Sequence, residues 1–191
     1  MNTQHDTLEP AIRECADAVA ALATGIRDEQ LQDPTPCEKF TVADLVEHLG
    51  GTLLSSARAA RKEAQPGESA TAPGMTPQAL ADAANRASAA WSDPAAYDGA
   101  TEFGPGELPA VVAASITLQE LALHGWDLAR ATGRPFALSE ETERIALGAV
   151  EQLAEAARGN GAYGPPVPVS ADAPAFQRAL GVSGRNHVWN G

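Results

Sequence analysis

The sequence predicts an all-α protein: a bundle of four long helices with one accessory helix and an irregular C-terminal tail. Apolar residues recur at spacings of three and four over most of the chain, and no stretch alternates convincingly as a strand does. The segment from Pro109 to Gly133 is apolar around most of a helix circumference, which is typical of a central bundle helix. At 191 residues the chain is most simply one domain, 1–191, with a sizeable core.

The first helix is predicted over residues 7–27. Its apolar stripe follows spacings of four and three and comprises Leu8, Ile12, Cys15, Val19, Leu22 and Ile26. Cys15 lies inside this stripe, so we interpret it as a small core residue. Pro34 and Pro36 then mark a loop.

The second helix is predicted to begin at Thr41, because Thr41 and Asp44 resemble a capping box. Its apolar face comprises Val42, Leu45, Val46, Leu49 and Leu53. His48 lies on the flank of that face. Taken alone, a histidine there is more often a hydrogen-bonded boundary residue than a ligand.

Residues 65–77 (QPGESATAPGMTP) are predicted to form a flexible loop, which serves either as a lid or as a plain connector. An alanine-rich third helix follows from about Thr76 to Trp91, and Arg86 within it is expected to face solvent. Residues 92–108 contain several Gly and Pro breakers and are predicted to be loop-like.

The central helix carries an unusual pair of polar residues. Glu120 is the one charged residue between Glu107 and Asp127, and His124 follows it by four positions. The two side chains therefore share a helix face, one turn apart. A carboxylate in such apolar surroundings is costly to bury without a partner, and a metal ion shared with His124 would supply one.

The chain beyond the central helix is predicted to contain one more long helix. Ser139 is a candidate N-cap for a helix over about Glu140 to Arg158. The tail, 159–191, is rich in Gly and Pro and is expected to pack along the bundle, with one short helix near Ala173–Leu180. We expect no ligand role for His187.

Composition limits the partners of the protein. The chain has 25 acidic and 13 basic residues, which argues against nucleic acid or an anionic membrane surface. Neither a secretory signal nor a transmembrane stretch is visible. Two cysteines are too few for a disulfide framework, so a cytoplasmic, reduced protein is expected. A homodimer through an exposed bundle face is left open, since no residue argues for it.

Three residues predict a metal site in the bundle core: His48, Glu120 and His124. Three protein ligands leave a coordination position for water or substrate, as in catalytic zinc sites. Asp127, one turn beyond His124, is placed either to hydrogen bond another ligand's imidazole or to tie helix ends together. Cys37 precedes a helix N-terminus, where a thiol pKa can fall, but its exposure does not follow from the sequence and we assign it no catalytic role.

Two segments, PTPCEKFTVADLVEHLGG and the later ELALHGWDLARATGRP, resemble the DinB/YfiT-like metal-binding superfamily. Within it they are most similar to the branch named for the N-terminal domain of mycothiol-dependent maleylpyruvate isomerase. The tail GPPVPVSADAPAFQRALGVSGR resembles the ending of short members, so the resemblance covers nearly the whole chain. It implies a four-helix bundle that holds a divalent metal at His48, Glu120 and His124.

The chain also departs from the wider superfamily. Members of the DinB type use three histidines, whereas the second position here is Glu120, as in the isomerase branch. The full isomerase has a further C-terminal domain that contributes to its active site, and this chain ends before one. We therefore do not expect maleylpyruvate isomerisation itself.

The resemblance implies a metal-dependent enzyme that uses a thiol. The divalent metal, zinc or its rival nickel, would lower the pKa of a thiol cosubstrate such as mycothiol. The thiolate would then attack a small electrophilic molecule in a transfer or isomerisation. Three alternatives stay open: a non-catalytic module that binds metal or a small molecule, a metal-dependent hydrolase, and a metal-free bundle in which Glu120 is hydrogen-bonded to a histidine.

Overall fold

The computed structural model describes residues 3–65 and 71–190, and the prediction of an all-α bundle is confirmed in that part of the chain. The helices are α1 (Thr3–Ala23), α2 (Val42–Ala60), α3 (Pro77–Trp91), α4 (Ala110–Thr132), α5 (Glu140–Gly159) and α6 (Ala175–Val182). The strands are β1 (Ala100–Phe103) and β2 (Gly106–Pro109). Within the described residues, no helix combines the length and apolar character that a membrane span requires.

Helices α1, α2, α3 and α4 form the bundle, and α4 is central to it. Helices α1 and α2 each pack against both α3 and α4, while α5 packs on α4 and α1 and carries α6 on its other side. Large side chains from all four bundle helices are fully buried, among them Ile12, Leu49, Leu80 and Leu121. Each such burial stabilises the fold by roughly 1.5–3 kcal/mol, so packing between these helices is the main source of stability.

Local sequence signals define several of the helix ends. Thr41 Oγ1 accepts a hydrogen bond from the Asp44 amide at 3.2 Å, and the Asp44 carboxylate accepts one from the Thr41 amide at 3.0 Å. The predicted capping box is therefore present. Gly133 ends α4 with a φ of +66°, a left-handed conformation that glycine adopts without strain. Ser139 Oγ caps α5 as predicted.

Helix α1 differs from the prediction for residues 7–27, because it begins at Thr3 and ends at Ala23. Its C-terminal end lies against Arg134, which donates a hydrogen bond to the Leu22 carbonyl at 3.4 Å. The same guanidinium occupies the space beside Gly25 where a Cβ would stand. Ile26 still packs on the core, but from the loop that follows the helix.

The prediction that residues 92–108 are loop-like was wrong in part. Strands β1 and β2 pair as an antiparallel hairpin, with Thr101 opposite Leu108. Thr101 Oγ1 donates to the Ala59 carbonyl of α2 at 2.7 Å, and Phe103 is buried. Strands of four residues are too short for an alternating pattern to be recognised.

The segment predicted as a flexible loop, 65–77, is described only in part. Residues 66–70 lie outside the described residues. Whether the segment is a lid or a plain connector depends on them and stays a prediction. Beyond them, the Gly74 amide donates to Glu47 Oε1 of α2 at 2.7 Å. Arg86 of α3 is exposed, as predicted.

The C-terminal tail returns along α5 and α4. Helix α6, predicted near Ala173–Leu180, spans Ala175–Val182 and buries Phe176 and Leu180. The Val167 amide donates to the Gly181 carbonyl at 2.9 Å, so the segment before α6 is held against the last turn of that helix. This path brings Arg185 to the central helix.

Candidate metal centre

The three predicted ligand residues meet between α2 and α4. His48 Nε2 lies 3.3 Å from Glu120 Oε2, and His124 Nε2 lies 3.5 Å from the same oxygen. The donor atoms of all three residues are within 4.8 Å of one another. The packing of α2 on α4 therefore adds His48 to the pair that shares one face of α4.

Glu120 Oε2 is buried and makes no hydrogen bond within the described residues, although two imidazole nitrogens face it. Burial raises the pKa of Glu120, but the neighbouring histidines outweigh that effect and hold the pKa below its usual value. The group is consequently a carboxylate at neutral pH. A buried carboxylate oxygen without a hydrogen bond is costly, and a cation between the three donors would offset that cost.

Asp127 orients His124. Its Oδ2 accepts a hydrogen bond from His124 Nδ1 at 2.9 Å, and its side chain is fully buried. With the proton on Nδ1, Nε2 keeps its lone pair directed towards Glu120. Sequence reasoning left open a bond to another ligand's imidazole or a tie between helix ends, whereas the structure places the bond on His124 itself.

Arg185 also holds Asp127. Its Nε donates to Asp127 Oδ1 at 2.9 Å and its Nη2 donates to Oδ2 at 2.7 Å. Burial raises the pKa of Asp127, and the Arg185 guanidinium reverses the effect and lowers it. Sequence reasoning missed Arg185, because it lies 58 residues away in an irregular tail that has no periodic signal.

Phe40 holds the ring of His48. The two rings are stacked with centroids 4.9 Å apart and an interplanar angle of 20°. Phe40 also meets His124 edge-on at 6.3 Å. Sequence reasoning did not single out Phe40, although it lies in the first segment that resembles the superfamily, since a loop residue before α2 has no helical periodicity.

Cys37 lies close to His124, and its thiol has a raised pKa. Its sulfur forms a second group of potential donors with His124 and Asp127, all within 4.8 Å. Burial raises the pKa of the Cys37 thiol, and Arg185 offsets this only in part. The pKa of Cys37 is therefore raised rather than lowered, although the residue precedes a helix N-terminus. His187 belongs to neither donor group found among the described residues.

The donors fit a divalent transition metal. Two imidazole nitrogens and one carboxylate oxygen form one of the ligand sets of catalytic zinc, which keeps a further position open. A cavity of about 370 Å³ borders His48 and Glu120, so that position would have space beside it.

Comparison with known families identifies the family of the chain. The model of the family described as "Mycothiol maleylpyruvate isomerase N-terminal domain" matches residues 12–129, which include His48, Glu120 and His124. The chain belongs to this family. The matched range ends before Arg185, so the residue that holds Asp127 in this family member comes from the tail.

Relatives and solved structures extend the comparison. Two uncharacterized proteins from two strains of Mycobacterium tuberculosis are each 34% identical over 146 residues, which is 76% of this chain and 75% of theirs. The crystal structure of the mycothiol-dependent maleylpyruvate isomerase superposes with a TM-score of 0.55 at 15% identity, covering 76% of this chain and 67% of that chain. A histidine-to-alanine mutant of the isomerase gives 0.60 at 12% identity, covering 89% and 78%. At such identities the structures show a common fold.

Proposed function

We propose that this family member is a metal-dependent enzyme that joins a thiol of the mycothiol type to a small electrophilic molecule, in a transfer or an isomerisation. His48, Glu120 and His124 hold the divalent ion, with zinc preferred and nickel as the rival. The observation that carries the proposal is Glu120 Oε2, which is buried between two imidazole nitrogens and has no hydrogen bond among the described residues. The thiol is suggested by the isomerases after which the family is named.

Each residue around the ion has a defined task. A divalent ion held there would lower the pKa of a bound thiol and so supply a thiolate near neutral pH. Asp127 keeps the His124 proton on Nδ1 and leaves Nε2 free to bind. Arg185 balances the charge of Asp127, and Phe40 keeps the His48 ring in one orientation.

The partners that we propose are a small-molecule thiol and an electrophile. Cys15 and Cys37 are free thiols, Cys15 inside the core and Cys37 half-buried. Unpaired cysteines suit a reducing compartment, where a thiol cosubstrate would also be reduced. We therefore propose a cytoplasmic location.

Elemental analysis of untagged protein tests the metal site. We expect about one zinc or nickel ion per chain in the wild type, and a loss of that ion in His124→Ala and Glu120→Gln. His5→Ala is the matched control, because His5 lies on α1 outside both donor groups. Full metal content in His124→Ala, or no ion in the wild type after incubation with zinc and nickel, would overturn the assignment.

A second assay tests the chemistry. Protein loaded with zinc or nickel is mixed with a thiol and a set of electrophiles. Both the loss of free thiol and the conversion of the electrophile, including to an isomer with the thiol released again, are followed against the uncatalysed rates. We expect acceleration by the wild type and by His5→Ala, and none by His124→Ala. Tight metal binding without acceleration for any thiol would reject the enzyme and favour a non-catalytic binding module.

A further inference from the structure

The cavity of about 370 Å³ beside the metal ligands has mainly apolar walls. His48 and Glu120 form one side, and the hairpin tip, α4 and α5 form the others. Its apolar side chains are those of Phe103, Pro105, Leu108, Ile116, Leu153 and Ala157. Sites for small organic ligands have volumes of roughly 300–1,000 Å³ and similar walls. The cavity therefore has room for a small molecule next to the three donor atoms.

The described walls contain no Lys or Arg, and Glu120 is their one carboxylate. Residues 66–70, which follow Gln65 of the wall, read PGESA and contain no basic residue either. A carboxylate that entered this cavity would lose part of its hydration and gain no counter-charge from these side chains. A divalent ion at the three donors would supply one only at the end that His48 and Glu120 form. The transfer of the carboxylate is costly, whereas an uncharged molecule enters without the cost.

The basic residues near the site line a different cavity. A cavity of about 300 Å³ is bordered by Cys37, Lys39 and Arg185, and Ala162 separates it from the first. Lys39 donates to the Gly161 carbonyl, and Arg185 is paired with Asp127. Both cations thus border this second cavity and not the apolar one.

One hydroxyl of the apolar cavity has no partner within the described residues. Thr52 lies one turn after His48 on α2 and is only 7% exposed, and its Oγ1 makes no hydrogen bond. Buried helical threonines usually donate to the carbonyl four residues before them, as Thr117 does to Ala113 at 2.8 Å and Thr132 does to Leu128 at 2.7 Å. The Thr52 hydroxyl is thus unpaired but shielded, and an acceptor on a ligand can reach it once the side chain rotates about its Cα–Cβ bond.

We propose that this cavity binds the electrophile, and that the part of the electrophile remote from the metal ligands is uncharged, largely apolar and carries a carbonyl-type acceptor for Thr52. A carboxylate in that part is disfavoured, because no side chain of the wall would neutralise it. The identification of the ligand as the electrophile rests on the function proposed above. The preference for an uncharged ligand rests on the cavity walls alone.

The test compares methyl cinnamate with cinnamate, which have nearly the same shape and differ in charge at neutral pH. Each is titrated into the wild type by ligand-observed NMR, first with metal removed and then with zinc added. We expect methyl cinnamate to bind metal-free protein at least about tenfold more tightly than cinnamate. Equal or tighter binding of cinnamate to metal-free protein would overturn the proposal.

Variants locate the binding. Ala156 is exposed on α5 and lines the cavity, so Ala156→Trp should fold and weaken methyl cinnamate binding by about tenfold. Gln152→Trp, one turn earlier and outside the wall, is the matched control and should bind as the wild type does. Ala156→Arg would bring a positive charge to the cavity, so the ratio of methyl cinnamate affinity to cinnamate affinity should fall. Wild-type affinity in Ala156→Trp would place the ligand elsewhere.

A third substitution tests the hydroxyl. Thr52→Val keeps the shape of the side chain and removes its unpaired hydroxyl. We expect an affinity for methyl cinnamate about fivefold lower and a Tm that is unchanged or higher, because the buried hydroxyl has no partner to lose. Unchanged affinity would remove Thr52 from the proposal.

The outcomes separate the two proposals. Protein that binds methyl cinnamate but no metal would support the cavity and reject the metal-dependent function. Protein that binds metal but neither probe would support the metal site and reject the cavity proposal.

Discussion

Gly125 lies between the metal-ligand candidate His124 and the buried Trp126. It packs against Val19 of α1 and against Phe136, which follows α4. A Cβ at this position would lie 2.7 Å from the Phe136 ring and 2.9 Å from Val19 Cγ2. The glycine therefore lets α4 approach α1 and the loop after α4 closely. Glycine is required at position 125 because a larger side chain would not fit between the helices, and not because it takes part in the chemistry of the site.

Gly125→Ala is expected to destabilise the protein. Alanine favours the helix by about 1 kcal/mol, but overpacking against stiff Val19 costs about 1–3 kcal/mol, so the net loss is about 1 kcal/mol. Gly148→Ala in α5 is the matched control, because a Cβ there meets nothing within 4 Å and should raise stability by about 0.5–1 kcal/mol. Urea unfolding measures both, and equal stabilisation by the two substitutions would contradict the packing role.

At the scale of elements, Glu14 joins α1 to the beginning of α5. Its carboxylate accepts hydrogen bonds from the Ser139 amide at 2.6 Å, the Ser139 hydroxyl at 2.7 Å and the Thr142 hydroxyl at 2.5 Å. Burial raises the pKa of Glu14, but the bonds from Thr142 and Ser139 together outweigh it and the pKa is lowered. The ionised form is the one that holds the two helices together.

This contact should make stability depend on pH in the acid range. A group whose pKa is lower in the folded state stabilises fully above its usual value of 4.5, and the contribution is lost as the pH falls through the lowered pKa. Glu14→Gln should therefore cost about 1 kcal/mol at pH 7 and progressively less below about pH 4.5. Unfolding curves across this range measure the difference.

The control for Glu14 is Glu155→Gln, since Glu155 is an exposed glutamate of α5. Its substitution should leave stability within about 0.5 kcal/mol at either pH. A Glu14→Gln deficit that stayed constant down to low pH would show that the carboxylate charge is not what links the helices.

On the scale of the whole molecule, Arg185 joins the tail to the candidate site. The guanidinium and Asp127 are both buried, and Asp127 in turn orients His124. The tail therefore supplies part of the support for a ligand on the central helix. Loss of Arg185 should consequently affect stability and metal binding together.

Arg185→Ala is expected to cost about 3–5 kcal/mol, because it leaves the Asp127 carboxylate buried without its partner. Metal affinity, measured by competition with a chelator, should fall by about 10–100-fold as His124 loses its orientation. Arg185→Lys keeps the charge and should recover part of the stability and part of the metal affinity. This variant allows the test to be made even if the alanine variant does not fold.

Arg178→Ala is the matched control for the tail. Arg178 is half-exposed and lies 3.7 Å from Glu151, so its substitution should change stability by less than about 1 kcal/mol and leave metal affinity unchanged. If Arg185→Ala behaved like Arg178→Ala, the tail would have no part in supporting the site.

Local features of this protein were predictable from the sequence. The Thr41 capping box, the Gly133 helix end and the shared face of Glu120 and His124 depend on neighbours within one or two turns. Cys15 was placed in the core by its position in an apolar stripe, and it is fully buried. In each case the spacing along the chain fixes the geometry, because an α-helix repeats every 3.6 residues.

Other features follow only from tertiary structure. The approach of His48 to Glu120 depends on how α2 packs on α4, and the family resemblance rather than spacing had included it. The positions of Phe40 and Arg185, the hairpin and the apolar cavity join segments distant in the chain, and local sequence carries no signal for them. The raised pKa of Cys37 likewise depends on burial, which is a property of the folded surroundings. Sequence by itself therefore determined the helices and the Glu120–His124 pair, while tertiary packing decided what surrounds that pair, because distances between remote segments are set only when the core forms.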